Sequence, residues 1–239
     1  MKRFYTRAEA VADGSSWTVR LDGKPVRTPA RVPLDLPTAA LAAAIAAEWE
    51  AQGETVKPAT MPLTGLAFAA IDRVALDPAA FAASLAAYAE TELLCYRADG
   101  PADLVARQRA EWDPLLAWAR ARFDIGFFVT AGIVHAAQPP ATLARIRAAY
   151  AALDPFRLAS LHPVVTITGS AVIGLAVAEG RMDAAAAYAA GQLDELWQAE
   201  QWGHDPLAAA ALASRRAALE DAVRLLDLLD QGDYRAEDA

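Results

Sequence analysis

The stretch Leu193–Gly203, LDELWQAEQWG, predicts a helix that carries large apolar side chains on two faces. At about 100° per residue, one face carries Leu193, Leu196 and Trp197. The nearly opposite face, extended one turn towards the N-terminus, carries Tyr188, Glu195 and Trp202. An amphipathic surface helix buries one apolar stripe and exposes its other side to water. The pattern therefore indicates that a second layer of the protein, or a partner, covers the outer face.

Glu195 is the charged group at the centre of that outer face. A carboxylate between two aromatic rings would be partly desolvated, which is costly unless another group pairs with it. One interpretation is a recognition helix whose central charge meets a partner. The alternative is the middle helix of a bundle, in which Glu195 bonds an arginine of its own chain.

Composition narrows the class of protein. The 239 residues are 55% hydrophobic, and the net charge of −8 argues against binding to nucleic acid or to an anionic membrane surface. Cys95 is the only cysteine, so no internal disulfide can form and a reducing compartment is expected. The longest apolar run, Val164–Ala178, is shorter than the roughly 20 residues of a spanning helix, and we expect no membrane insertion.

The first forty residues predict a small β unit. Ser16–Leu21 alternates in polarity, as in a strand, and Asp22-Gly23 is a typical two-residue hairpin turn. Lys24–Thr28 would form the second strand of the hairpin. Val32–Leu36 is a third short extended piece. A unit of this size is not stable alone, so the helices that follow must cover it.

The rest of the chain predicts helices, and the fold class is therefore α+β. We expect a small β-containing domain over residues 1–60 and a larger helical domain over 61–239, with a possible joint at 99–101. Thr38 and Asp183 are expected N-caps, and Gly53 and Gly203 expected helix ends. The ambiguous piece is Ile125–Ala136, which is either a strand or a buried helix. Further predicted helices span 102–112, 113–122, 141–153, 155–178, 183–203 and 205–229.

A search for chemistry yields no catalytic set, cofactor loop or metal motif. There is no Gly-rich phosphate loop and no nucleophile elbow, and the histidines His135, His162 and His204 are far apart in sequence. Cys95 lies between apolar neighbours and is interpreted as a small buried hydrophobe. Glu90 and Glu92 are interpreted as helix-end residues.

Six motifs in register resemble one family. They are LDGKPVRTP (21–29), Glu48-Trp49, MPLT (61–64) with Ile71-Asp72, TELLCYR (91–97), Gln108 with Trp112-Asp113-Pro114, and DELWQAEQWG (194–203). Together they resemble the assembly chaperones that bind the alpha subunit of the catalytic sector of F-type ATP synthase. The resemblance covers nearly the whole chain.

The resemblance implies a non-enzymatic chaperone that keeps the unassembled alpha subunit soluble until assembly. It implies a small N-terminal domain with β-structure, a larger helical C-terminal domain, a monomer, and a functional acidic position at Glu195. Mitochondrial members carry a targeting extension, whereas this chain begins almost at its first strand, so we expect a bacterial, cytoplasmic member. The expected partner-binding residues are Glu195, Gln198, Trp202 and Tyr188, with Arg27 of the hairpin as a further candidate.

Two other functions remain open at this point. One is a small-molecule enzyme whose site is assembled from distant residues such as His135, His162 and Glu195. The other is a helical adaptor with different clients. A closed pocket of convergent polar groups would favour the enzyme, and an open surface would favour a binding protein.

Overall fold

The computed structural model describes residues 1–132, 134–203 and 206–233, and only the backbone of 206–208, 232 and 233. His204, the helix start expected at Asp205 and the end of the polar tail lie outside the described residues. Contacts divide the chain into two compact units. The first comprises Met1–Asp77, Pro155–Ser160 and Asp221–Ala239, and the second Pro78–Asp154 and Leu161–Glu220. A domain boundary at residue 60 stays a prediction.

The first unit contains an antiparallel sheet of three strands in the order β1-β2-β3. β1 is Ala8–Asp13, β2 is Ser16–Leu21 and β3 is Lys24–Pro25. The Asp22-Gly23 hairpin is confirmed, because both residues have positive φ, 48° and 81°, as a tight turn between twisted strands requires. Val19 and Leu21 are buried, as the alternation predicts, whereas Trp17 on the same face is half-buried and Thr18 on the other face is also buried.

The strand predictions were wrong in extent. β1 was missed, since AEAVAD has little β-propensity and becomes a strand by pairing with β2. The expected strand Lys24–Thr28 is reduced to two residues, and Val32–Leu36 makes only isolated bridges, Trp17 with Leu36 and Arg27 with Pro33. The prolines at 29 and 33 remove ladder donors on this side.

Two helices of the first unit follow the sheet. α1, Ala39–Glu50, begins at the predicted N-cap Thr38, whose hydroxyl accepts a hydrogen bond from the Leu41 amide. It ends at Ala51 rather than at Gly53. α2 is Pro62–Asp72, and a 3-10 helix over Pro58–Thr60 precedes it. The residue before α2, Met61, supplies no side-chain cap.

The second unit is mainly helical. Its elements include α3 (Pro78–Ala86), 3-10 helices (Ala87–Thr91 and Leu93–Cys95), β4 (Tyr96–Arg97), α4 (Ala102–Phe123), β5 (Thr130–Ala131), α5 (Pro140–Ala151), α7 (Ala171–Ala178), α8 (Ala184–Gly191) and α9 (Leu193–Trp202). α6, Pro155–Thr168, and α10, Pro206–Asp233, each contribute residues to both units. The α+β class is confirmed.

Several predicted helices have different limits. The expected helices 102–112 and 113–122 are the single helix α4, which continues through Pro114. Buried Trp112 and Leu115 on either side of the proline supply packing energy that outweighs the lost backbone bond. The stretch 155–178 is two helices, since Gly169 has φ 68° and Ser170 caps α7.

The predicted helix 183–203 is also two helices. Asp183 caps α8 as expected, and its side chain accepts from the Ala186 amide. The chain breaks at Gln192, whose side-chain amide donates to the Ile167 carbonyl oxygen. A Cβ on Gly191 would lie 2.9 Å from the Thr168 Cα, so glycine permits a close approach here. The two-faced arrangement is therefore shared between α8 and α9.

The ambiguous piece Ile125–Ala136 is neither a helix nor a long strand in its described residues. Only β5 is regular, and it pairs in parallel with β4 through Tyr96 with Thr130 and Arg97 with Ala131. The backbone before β5 is held by hydrogen bonds between the Gln138 side chain and Phe128 and between the Thr142 side chain and Gly126.

Candidate functional site

The outer stripe of α9 carries the three residues that the sequence singled out in this helix. Glu195, Gln198 and Trp202 are all exposed, and the Trp202 side chain is 74% exposed. Their spacing of three and four residues places them on one stripe. Among the described residues, no hydrogen bond or ion pair engages the Glu195 carboxylate. The expected partial desolvation of Glu195 between two aromatic rings was wrong, because the residue is exposed.

The opposite side of α9 is fixed to α4. Gln108 is fully buried, and its amide donates to the Asp194 carboxylate at 2.8 Å while its oxygen accepts from the Ala98 amide at 2.8 Å. Nearly two turns further along α9, Arg107 pairs with Glu200 at 2.7 Å. Leu193 and Trp197 are buried. These contacts orient α9 so that its Glu195 stripe points outwards.

The Trp202 ring packs against the Trp197 ring. Their centroids are 5.6 Å apart with an interplanar angle of 87°, a favourable edge-to-face arrangement. Trp202 therefore has an aromatic neighbour while most of its surface stays accessible. An exposed, positioned tryptophan is typical of a residue that anchors a partner.

Tyr188 is not part of this exposed stripe. It lies on α8, is only 6% exposed, and its hydroxyl donates to the Leu212 carbonyl oxygen at 3.0 Å. Burial raises its pKa. The sequence placed it on one exposed face with Glu195 on the assumption of one continuous helix. The Glu195 charge still acts on the Tyr188 hydroxyl, but burial of Tyr188 on α8, before the break at Gln192, keeps it out of the exposed stripe.

Arg27 lies in the first unit and is exposed. Its guanidinium donates to the Arg31 carbonyl oxygen at 2.9 Å, which closes the loop after the hairpin. The structure thus gives Arg27 a local contact, and its role in partner binding stays a prediction.

Motif residues of the second unit form a partly buried network around α4. Arg97 is 9% exposed, bonds Asp113 at 2.8 Å, and stacks over Trp112 with 5.2 Å from the guanidinium carbon to the ring centroid. The Trp112 indole donates to the Ala190 carbonyl oxygen at 2.9 Å. The motifs TELLCYR and Trp112-Asp113 therefore tie α4 to its neighbours.

Glu92 is a fully buried carboxylate at the start of α7. It accepts from the Val172 amide at 3.1 Å and from the Leu94 amide at 3.4 Å, so the helix-end interpretation is confirmed. Loss of water at this site raises its pKa to about 7, and hydrogen bonds from Ser170 and nearby amides oppose the rise. Burial and the Glu92 charge raise the pKa of neighbouring Cys95 to about 12, as expected for an inert buried thiol.

The residues of the enzyme alternative lie in separate elements. His135, which follows β5, bonds the Tyr96 hydroxyl at 3.0 Å. His162, on α6, packs 5.7 Å from Phe81, and desolvation lowers its pKa. Glu195 lies on α9. In the described part of the chain, no group of three or more His, Cys, Asp or Glu residues could hold a metal ion.

Two features of this unit were not found from the sequence. The Gln108–Asp194 bond joins residues of two motifs, and no spacing rule relates them. The exposed side chains of Phe128 and Val129 come from the ambiguous apolar piece, where the only signal was the absence of a helical or strand period.

None of the helices in the described residues is both long and apolar enough to cross a bilayer.

Comparison with known proteins defines the class. A family model described as ATP12 chaperone protein matches residues 2–120. The crystal structure of Atp12 from Paracoccus denitrificans is 46% identical, with a TM-score of 0.91 over 95% of this chain and 98% of that chain. A point variant of the same Paracoccus protein matches at 45% identity and TM-score 0.91, over 95% of this chain and 97% of that chain.

A third structure, a candidate chaperone from Agrobacterium tumefaciens, is 40% identical with a TM-score of 0.90, covering 95% of this chain and 86% of that chain. A shared fold at this identity over nearly full lengths defines the protein as a chaperone. The chain belongs to the ATP12 chaperone family, whose members assist the assembly of ATP synthase.

Proposed function

We propose that this protein binds the unassembled alpha subunit of F-type ATP synthase and prevents its aggregation until the catalytic sector assembles. An isolated subunit of a multi-subunit complex exposes apolar surface meant for its neighbours, and such patches drive association. Membership of the ATP12 family and the full-length likeness to Atp12 support the proposal.

The observation that carries the proposal is the outer stripe of α9. It combines an exposed carboxylate, Glu195, with an amide, Gln198, and an exposed indole, Trp202, that packs against Trp197. A partly polar contact of this kind suits reversible binding better than a core-like apolar interface. We assign Glu195 to pairing with a basic group of the client and Trp202 to anchoring.

The remaining parts of the proposal follow from the same function. The protein acts as a cytoplasmic bacterial monomer without a cofactor, and it performs no reaction of its own. The negative net charge of −8 supports a protein client over nucleic acid.

The test uses full-length protein and isolated alpha subunit diluted from denaturant, with light scattering as the readout. Wild-type protein should suppress scattering at stoichiometric amounts. Glu195→Gln should weaken binding by about tenfold, the scale of a lost charge-assisted contact at an interface, and leave thermal stability unchanged because the residue is exposed. Glu54→Gln, also exposed and in the first unit, is the matched control.

Three outcomes would contradict the proposal. One is scattering that wild-type protein does not reduce. Another is unchanged binding by Glu195→Gln together with lost stability, which would make Glu195 a structural residue. The third is turnover of a metabolite that is abolished by changing His135 or His162.

A further inference from the structure

A shallow cleft lies in the second unit between one face of α4 and the segment Phe127–Val129. Its volume is about 210 Å³, and its lining residues are Asp113, Leu116, Ala117, Arg120, Phe127 and Val129. The four α4 residues recur at the spacing of one helix stripe. Arg107 and Gln108, which contact α9, lie on the opposite side of α4, so this α4 cleft is separate from the outer stripe of α9.

The segment beside the cleft exposes consecutive large apolar side chains. Phe128 is 61% exposed and Val129 is 51% exposed. Single exposed apolar residues are common on soluble proteins. Here Val129 lines the cleft together with Phe127, Leu116 and Ala117, and Phe128 lies between Phe127 and Val129 in the chain. A cluster of exposed apolar side chains of this kind marks a binding site.

Buried side chains hold this segment in its exposed conformation. The Gln138 amide, 6% exposed, accepts from the Phe128 backbone N–H at 2.9 Å and donates to its carbonyl oxygen at 3.0 Å. The Thr142 hydroxyl, 3% exposed, makes the same two bonds to Gly126, at 3.2 and 2.8 Å. A preorganised surface loses little conformational entropy when a partner binds.

The cleft has opposite charges at its two ends. Asp113 is 59% exposed, and only one of its oxygens bonds Arg97. Arg120 is exposed and makes no ion pair with any described residue. Asp113 and Arg120 are seven positions apart in α4, which is about 10 Å along the helix axis. A complementary ligand therefore carries a base, an apolar stretch and an acid along a similar length.

We propose that the α4 cleft is a second docking surface, which binds an apolar segment of the unassembled alpha subunit flanked by a basic and an acidic side chain. The inference rests on the proposed function. The base of the client segment meets Asp113, its acid meets Arg120, and its apolar side chains contact Phe127, Phe128 and Val129. Binding at two separate surfaces gives the chaperone avidity that each contact alone lacks.

The test compares two double variants in titrations with isolated alpha subunit. Phe128→Ser with Val129→Ser removes the exposed apolar pair, and we expect binding at least fivefold weaker. Phe4→Ser with Val32→Ser is the matched control, because it removes the same residue types at similar exposure, 65% and 41%, in the first unit. The control should bind like wild type.

A charge arm tests the orientation of the ligand. Arg120→Glu should slow association and weaken binding by about threefold, whereas Arg120→Lys should retain most of the affinity. Arg147→Glu, an exposed arginine on α5, is the control for net charge.

The outcomes separate this proposal from the proposed function. If wild-type protein does not bind the alpha subunit, both fail. If wild-type protein binds and the Phe128/Val129 double variant binds equally well, or loses no more than its control, only the cleft proposal fails. It also fails if that double variant binds normally but abolishes a concentration-dependent dimer of wild type, because the cleft would then contact a second copy of this chain.

Discussion

Single carboxylates of the motifs have two different environments. Glu92 is buried and accepts hydrogen bonds from the nearby Leu94 amide and the distant Val172 amide, whereas Glu195 is exposed and accepts none from the residues that the structure describes. In the sequence, Glu92 and Glu195 are both acidic residues next to apolar runs, and nothing local distinguishes them. Only packing decides which acid supports the fold and which is available to a partner.

Glu92 should make stability depend on pH. Its folded pKa of about 7 lies above its ordinary value of 4.5, so the folded protein retains a proton that the unfolded chain releases. The contribution of this group to stability is therefore complete below about pH 4.5 and is lost as pH rises through 7. The total change is about 3 kcal/mol.

The measurement is urea denaturation of wild type and Glu92→Gln at pH 5 and pH 8. The amide imitates the neutral acid, so the free energy of unfolding of the variant should lack the Glu92-dependent fall between pH 5 and pH 8. Relative to wild type, the variant should therefore be more stable at pH 8 than at pH 5 by up to about 3 kcal/mol. Neighbouring Cys95 and Tyr150 have raised pKa values and do not titrate in this range. Parallel pH profiles of the two proteins would refute the expectation.

Gly174 should tolerate no side chain. A Cβ there would lie 2.3 Å from the Tyr150 hydroxyl oxygen and 2.6 Å from a Val165 methyl carbon, and Tyr150 is itself buried and bonded to the Ala171 carbonyl oxygen. Gly174→Ala should lower the free energy of unfolding by about 1–3 kcal/mol. Gly65→Ala, in α2 with no atom near its Cβ position, should instead raise it by about 0.5–1 kcal/mol. Equal effects from both variants, measured by thermal denaturation, would contradict this account.

At the scale of elements, the first backbone amides of a helix can be capped by a side chain from another element. α2 has no side-chain cap of its own, and Glu48 of α1 supplies it. The Glu48 carboxylate accepts from the Leu63 and Thr64 amides, both at 2.8 Å, and from the Thr64 hydroxyl at 2.6 Å. The motifs Glu48-Trp49 and MPLT are therefore joined by a single helix cap.

Removing this cap should destabilise the first unit. Glu48→Ala leaves the first amides of α2 without acceptors, and we expect a loss of about 1–3 kcal/mol in urea denaturation. Glu48→Gln keeps an acceptor and should lose less. Glu54→Ala is the exposed control, and a loss equal to that of Glu48→Ala would show that the cap is not the cause.

At the scale of the whole molecule, a net charge of −8 and the exposed Glu195 carboxylate predict electrostatically assisted association. The association rate with isolated alpha subunit should fall as salt rises from about 50 to about 500 mM, because ions screen exposed charges. Glu195→Gln should make this dependence shallower, and Glu54→Gln should change it less. A rate independent of salt, measured by stopped-flow fluorescence, would remove the electrostatic part of the proposal.

The sequence alone determined the α+β class, the Asp22-Gly23 hairpin, the caps Thr38 and Asp183, the buried Cys95, and, through six motifs in register, the chaperone family. These features depend on residues close in the chain or on their order along it. The tertiary structure alone decided that α4 continues through Pro114, that Gln192 divides α8 from α9, and that AEAVAD is a strand. It also decided that Tyr188 is buried while Glu195 and Trp202 are exposed. Contacts between residues far apart in sequence set these outcomes, because burial and long-range hydrogen bonds outweigh local propensities of a few tenths of a kcal/mol.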